Sequence, residues 1–355
     1  MTPKSIAIFV KNLTSGGAEK QAVLLAKALS TDYDVHFVVF NAAKTHQKYL
    51  DMIHETPEVH LVLFNGGHLS RFRQLCSYIK GNNIELIFSY LTAANLYACL
   101  AGSITGAKVV TGLRNAELPT GKLIADRFLT NHMATLTIAN CYSGKENFIK
   151  HGFKEKKMHV VPNCCSDITP YGIKKDSDIT AIITVGRFVE QKDYLTAIKS
   201  VAKAYKTHKD IRFSIIGFGK LEQEIRMWVK EEGIADITNI LINPDNIPQY
   251  LSDADIYLST SLFEGTSNSI MEGMNADLPI VATDVGDNSC LVKDGENGFL
   301  AKKKDYEALA QYLEELISNK NLRLQLGKKS KEMLSDCYSL RTFRYRYIQV
   351  IRKIN

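Results

Sequence analysis

Nowhere in its 355 residues does the chain carry the ~18-residue apolar run that a membrane span requires. Its first apolar run, Ser5–Val10, has the length of a strand and is too short for a signal peptide, so the expectation is a cytosolic protein unless something else carries it out. The seven cysteines (Cys76, Cys99, Cys141, Cys164, Cys165, Cys290 and Cys337) are odd in number and contain no CxxC pair. Most sit in apolar patterns, which argues for buried reduced thiols and against a disulfide framework. No His, Cys and Asp cluster has metal-ligand spacing. Neither GxGxxG nor GxxxxGKS/T occurs after the first strand, which argues against dinucleotide and ATP sites of those kinds. Internal repeats of solenoid period and low-complexity segments are absent as well.

What is present is a soluble, globular composition, 45% hydrophobic and 23% charged, on a chain too long for one ordinary core. Two domains of about 150 to 180 residues fit the length. The net charge of +6 is modest, but its distribution is uneven. Lys145, Lys150, Lys154, Lys156 and Lys157 gather in the first half, and Arg71, Arg73 and Lys80 lie on the helical stretch Leu69–Lys80. That stretch mixes cations with Leu, Phe and Tyr, so it reads either as a helix lying on an anionic bilayer or as a solvated helix with its apolar stripe inside. No nucleic-acid motif accompanies the charge.

Strand-like runs at 5–10, 35–40, 59–63, 86–89, 108–111, 136–139 and 159–161 alternate with helical runs such as 18–29 and 93–104. This is the pattern of a parallel sheet covered by helices on both faces. A polar linker with Pro and Gly follows at Ser166–Asp178. The pattern then restarts with strands at 181–185, 212–216 and 239–242 and helices at 194–206 and 221–231. The reading is α/β, two doubly wound domains facing a central cleft, with ligands expected beyond the carboxyl ends of the strands. The tail is helical at 306–317, 320–334 and 340–354.

The most informative stretch is Asp255–Gly286. An apolar strand at 256–259 enters the polar turn Glu264-Gly265-Thr266-Ser267-Asn268, a helix follows over 269–276, and a second strand spans 279–282. The helix start offers the backbone N–H groups of Ser267, Asn268, Ser269 and Ile270 to a phosphate, with Thr266 just before them. Glu264 and Glu272 bracket that start and suit sugar hydroxyls. The bare spacing is uninformative, since it recurs at Glu224/Glu232 and Glu307/Glu315 on solvated helices; the setting separates the pair. At the opening of the second half, a strand ends in Gly186-Arg187, and Lys192 lies five residues on. Two such cations suit a diphosphate leaving group. Gly16-Gly17 between the first strand and helix lets backbone approach a ligand closely, and equally serves a tight turn. Gly217-Phe218-Gly219 is a weak signal of the same kind.

Together these elements resemble glycosyltransferase family 4, retaining enzymes of GT-B fold, over nearly the whole chain, and most closely its bacterial surface-polysaccharide members. The resemblance implies an acceptor-binding domain at 1–166, a nucleotide-sugar domain at 167–338 and a final helix, 339–355, crossing back to the first domain. It implies Arg187, Lys192 and Glu264 as the catalytic group. Gly16, Gly17, Gly186, Gly217, Thr266, Ser267, Asn268, Ser269, Ile270 and Glu272 would bind the donor, expected to be a UDP-sugar. Glu19, Arg114 and Asn115 become acceptor contacts; Arg114-Asn115 stands near where many members have a histidine. A polyprenyl-diphosphate-linked saccharide is the implied acceptor, met peripherally at the inner face of the cell membrane, and no metal or other cofactor is required. Residues 239–243 would line the base pocket. The competing readings are a UDP-sugar epimerase of the same fold and a non-catalytic nucleotide-sugar-binding subunit. Two departures from the family pattern stand out. Pro162-Asn163-Cys164-Cys165-Ser166-Asp167 replaces a glycine-containing motif, and Asp277 replaces a glycine, which predicts a different turn before the strand at 279–282.

Overall fold

The computed structural model describes residues 4–14, 16–114, 116–166, 168 and 177–354. The chain divides into two units, one formed by residues 1–166 with 340–355 and the other by 167–339.

The first unit holds a seven-stranded sheet of β1 (Ser5–Val10), β2 (Asp34–Val39), β3 (Val59–Leu63), β4 (Leu86–Tyr90), β5 (Lys108–Leu113), β6 (Leu136–Ala139) and β7 (Met158–Val160), in the order β3-β2-β1-β4-β5-β6-β7. Each neighbouring pair is parallel, as β1 with β2 and β4. Helices cover both faces of such a sheet, so its inner strands are apolar throughout rather than alternating. Every residue of β1 and β4 is accordingly buried. The second unit holds six strands: β8 (Thr180–Val185), β9 (Ile211–Gly217), β10 (Thr238–Ile242), β11 (Ile256–Ser259), β12 (Ile280–Thr283) and β13 (Gly298–Ala301), in the order β10-β9-β8-β11-β12-β13. From β8 the chain builds outward through β9 and β10, then returns to the other side of β8 with β11. This reversal opens a crevice at the carboxyl ends of β8 and β11, where ligands of doubly wound sheets bind. The sequence reading missed β13, a short strand.

The helix Leu340–Ile354 belongs to the first unit. Its Phe343, Tyr347, Val350 and Ile351 are buried in the same core as Ile6, Ile8 and Phe88. Arg344 ties it to the turn between the helix Gly17–Leu29 and β2, donating to Asp32 from Nε at 2.6 Å and Nη2 at 2.7 Å.

Two expectations fail here. Arg71 is no surface cation of the helix His68–Gly81: it is buried, with its guanidinium 5.0 Å from the Phe40 ring and Nη1 3.4 Å from the Phe40 carbonyl. That helix turns Leu75 and Ile79 into the core, which rotates Arg71 inward with them. The turn at Asp277 keeps the conformation that a glycine would have, with φ +56°. The aspartate tolerates it because Lys331 Nζ pairs with Oδ2 at 2.7 Å, partly offsetting the left-handed strain.

The Arg344 guanidinium holds the Asp32 carboxyl below its usual range. A carboxyl lowered on folding contributes stability above the pKa of an unfolded aspartate, about 4, and loses it as pH falls through the lower folded value. Asp32→Asn should therefore cost up to ~1 kcal/mol at neutral pH, the pair being partly exposed, and nothing at about pH 2. Urea titrations at the two pH values check this; an equal difference at both would show that the ion pair is not its source.

Candidate active site

At the crevice of the second unit, the end of β8 runs into Gly186, Arg187 and a short turn, Glu190–Lys192. That turn is laced to the loop after β11. Leu262 N donates to the Gln191 carbonyl at 2.8 Å, and Gln191 Nε2 donates to the Phe263 carbonyl at 2.8 Å. Thr260 Oγ1 donates to the carbonyls of Lys192 and Asp193 at 3.0 and 2.9 Å. The outcome is a fixed ion pair: Lys192 Nζ lies 2.5 Å from Glu264 Oε1, with side chains 17% and 10% exposed. Ser261 Oγ donates to the same oxygen at 2.8 Å. Both contacts fall on Oε1 and neither uses Oε2, so this carboxylate keeps acceptor capacity.

Two glycines make the loops possible. A Cβ on Gly217 would lie 1.8 Å from the Gly186 carbonyl, and one on Gly286, at φ +56°, 2.0 Å from the Glu264 carbonyl. Tyr194 and Phe188 support the loop from below, Tyr194 Oη donating to the Gly186 carbonyl at 2.8 Å. Burial pushes the Tyr194 phenol up, which keeps it a neutral donor. Arg187 is exposed and pairs with no carboxylate among the described residues. Nearby Glu190 is engaged by Lys220 at 2.6 Å.

The helix that follows the Glu264 loop spans Asn268–Asn275, with Ser267 as its N-cap. Ser267 Oγ accepts from Ile270 N at 3.4 Å. One of the four amides expected for a phosphate, that of Ile270, is therefore engaged by the cap. Thr266 and Ser267 are buried and Glu272 is half-buried in the first turns of the helix. Asn243, at the end of β10, takes φ +44° and donates from N to the Gly217 carbonyl at 3.1 Å. The structure thus gathers Gly186, Arg187, Lys192, Gly217, Glu264, Thr266–Ile270 and Glu272 at the carboxyl ends of adjacent strands. The sequence reading passed over Thr260, Ser261 and Gln191. Their signal was available: two hydroxyls directly after an apolar strand, and a side-chain amide beside the lysine.

In the first unit two of the expected contacts, Gly16 and Arg114, are engaged by the chain's own side chains. Gly16 caps the helix Gly17–Leu29, but the room left by its missing Cβ is taken by Glu19, whose Oε2 would lie 2.2 Å from such an atom. Thr14 Oγ1 holds Glu19 at 3.0 Å and Tyr49 Oη donates to the Gly16 carbonyl at 3.0 Å. Arg114 is buried, its guanidinium 4.0 Å from the Tyr90 ring centroid and Nη2 donating to Tyr347 Oη at 2.9 Å. Nε and Nη1 are buried with no partner among the described residues. Asn115 lies outside the described residues. Among those residues no group of three or more His, Cys, Asp and Glu could hold a metal ion, and no helix is long and apolar enough to cross a membrane.

Comparison with known proteins decides the family. Residues 15–166 match the sequence profile of Glycosyltransferase Family 4, and residues 170–333 that of Glycosyl transferases group 1. The chain is a family 4 glycosyltransferase. Among its relatives is the N-acetylgalactosamine-N,N'-diacetylbacillosaminyl-diphospho-undecaprenol 4-alpha-N-acetylgalactosaminyltransferase of Campylobacter jejuni, 25% identical over 353 residues that take in 92% of this chain and 94% of the relative. A second Campylobacter jejuni enzyme, a GalNAc-alpha-(1->4)-GalNAc-alpha-(1->3)-diNAcBac-PP-undecaprenol alpha-1,4-N-acetyl-D-galactosaminyltransferase, is 25% identical over 93% of this chain and 94% of its own. The fold of the glycosyltransferase is GT-B, and it matches Anabaena Alr3699/HepE in complex with UDP at a TM-score of 0.85, with 18% identity over 98% of this chain and 100% of that one.

If Gly286 holds the Glu264 loop of this glycosyltransferase as described, Gly286→Ala should cost about 1–3 kcal/mol by overpacking and backbone strain. Chemical denaturation measures it, and unchanged stability would show that the loop does not rest there.

Proposed function

We propose that this glycosyltransferase moves a sugar, a hexose or N-acetylhexosamine, from a UDP-sugar to a lipid-linked saccharide with retained anomeric configuration, in the building of a bacterial surface glycan. The observation that carries the reading is the Lys192–Glu264 pair beside the exposed Arg187 and the start of the helix Asn268–Asn275. A fixed carboxylate, two cations and helix amides match the parts of a nucleotide sugar: hydroxyls on one side, a diphosphate on the other. UDP-bound structures among the fold neighbours support the donor class. The Campylobacter relatives, which by name act on undecaprenol diphosphate-linked saccharides, support the acceptor class.

In this reading the first unit takes the acceptor and the second the donor. The bond from the anomeric carbon to the diphosphate oxygen breaks as the bond to the acceptor oxygen forms on the same face. The acceptor's proton passes to the leaving phosphate. The protein supplies position and charge. Arg187, Lys192 and the helix amides hold the diphosphate, Glu272 takes the ribose hydroxyls, and Glu264 takes the transferred sugar through Oε2. Because Lys192 already contacts Glu264, one cation bridges sugar site and diphosphate site and sets their distance. The two cations do the work a metal does elsewhere, so transfer runs without one. A lipid-linked acceptor places the enzyme peripherally on the inner face of the membrane.

Melting the protein with UDP, GDP, ADP, CMP and UDP-sugars tests the donor site, since a ligand of the folded state raises apparent stability by mass action. A shift with UDP, enlarged by one UDP-sugar, is expected; no shift with any nucleotide would end the proposal. Arg187→Ala and Lys192→Ala should each lower kcat/KM by about 100-fold or more, and an unchanged rate in both would remove them from the site. Activity should survive EDTA; its loss and recovery on adding magnesium or manganese would overturn the metal-free reading.

A further inference from the structure

One residue of the first unit breaks two local rules at once. Leu91 stands between β4 and the helix Thr92–Thr105, with φ +72° and ψ +153°. That region of backbone space belongs almost wholly to glycine. Among the described residues, the other non-glycine positions at positive φ are Asn83, Asp193, Asn243, Asp277 and Lys304, all of them polar. Asn and Asp reach a left-handed backbone with help from their short polar side chains, which a leucine lacks. Leu91 is also the N-cap of its helix, and its side chain makes no capping bond. A glycine would meet both requirements.

The strained residue is clamped by its neighbours. Leu91 N donates to the Gly112 carbonyl at 3.2 Å, and the Leu91 carbonyl accepts from Asn95 N at 2.9 Å. Asn95 is buried, and its Oδ1 accepts from Ser89 Oγ at 2.8 Å and from Gly112 N at 3.3 Å. Its Nδ2 donates to the Gly112 carbonyl at 3.3 Å and to Asp126 Oδ1 at 2.9 Å. Thr92 Oγ1 donates to Asp126 Oδ2 at 2.6 Å. Ser89, Leu91 and Thr92 are thus fixed to the end of β5 and to the buried acid of the helix Thr120–Phe128. A strained backbone persists only where its surroundings over-determine it in this way. Core packing does not account for the strain, because the side chain so held is 38% exposed.

The place of Leu91 in the sheet points to what it meets. In the first unit the chain builds outward from β1 through β2 and β3, then returns to the other side of β1 with β4. The crevice of this sheet therefore opens at the carboxyl ends of β1 and β4, and Leu91 is the first residue after β4. We propose that Leu91 is an acceptor-contact residue: the buried clamp holds it in a glycine conformation so that its exposed side chain packs on the apolar C–H face of a sugar ring of the acceptor. Strain at a site of this kind fixes a contact in advance of binding. The inference deepens the proposed reading in which the first unit takes the acceptor, and it rests on that reading.

Comparing Leu91→Gly with Leu91→Ala separates the backbone from the side chain. Both substitutions remove the leucine side chain, but only Leu91→Ala keeps the strain. Leu91→Gly should therefore melt about 3 °C or more above Leu91→Ala, the reverse of their order at an ordinary position. Transfer is then measured from the UDP-sugar with the largest melting shift to a panel of undecaprenyl diphosphate-linked mono- and disaccharides. Both substitutions should raise the acceptor KM by about tenfold and leave kcat within about twofold, as loss of uniform binding does. Leu91→Met, similar in volume, should restore the KM. The UDP melting shift should be the same in all three variants as in the unaltered chain, since the donor lies on the second unit. Leu91→Ala melting at or above Leu91→Gly would show that Leu91 is not strained, and would overturn the inference. Transfer by the unaltered chain with an acceptor KM that neither substitution moves would sink the Leu91 contact and leave the acceptor reading standing. A UDP shift without transfer to any acceptor of the panel would sink the acceptor reading, and the inference with it.

Discussion

The second unit depends on one topological constraint. Strands β8 and β11 lie side by side, yet the chain reaches them in separate passes and builds away from them in opposite directions. Their loops therefore diverge and cannot fill the space between them. The bonds from Gln191 and Thr260 then stitch one loop to the other across the gap. Lys192 and Glu264, 72 residues apart in sequence, become neighbours because of that stitching. The glycines at 217 and 286 follow from the same crowding: carbonyls occupy the places where their side chains would be.

Much of this was legible in the sequence because it is written in local patterns. Apolar runs of strand length alternate with helical periods, and the ends of the strands carry glycine, hydroxyls and charge. Glu264, Arg187 and Lys192 could be chosen because each stands at such an end. What stayed hidden depends on residues far along the chain. Arg114 reads as a free cation until Tyr347, 233 residues later, is seen to hold it. Arg71 reads as part of a basic helix face until the core sets that helix's rotation. Asp277 reads as a break in the pattern until Lys331 supplies its counter-charge. Local chemistry predicts where a backbone turns; it does not say which side chains will find partners.

The two units treat their strand-end loops differently. In the second, Arg187 is exposed and Glu264 Oε2 is left out of the ion pair that Oε1 makes. In the first, Glu19 covers the helix start at Gly16, and two tyrosines enclose Arg114. The loops of the first unit are thus partly occupied by its own side chains, those of the second less so.

The last helix has a consequence for how the chain comes into being. Phe343, Tyr347, Val350 and Ile351 fill the core of a unit whose strands are made first. A nascent chain can finish the second unit, residues 167–339, while the first still lacks part of its interior. Until residue 351 has left the ribosome, the place of those four side chains stays an open hydrophobic groove, and Arg114 has no tyrosine hydroxyl above it. The first unit to be synthesised is thus the last to close, and the interval between is when this protein most needs shielding from aggregation.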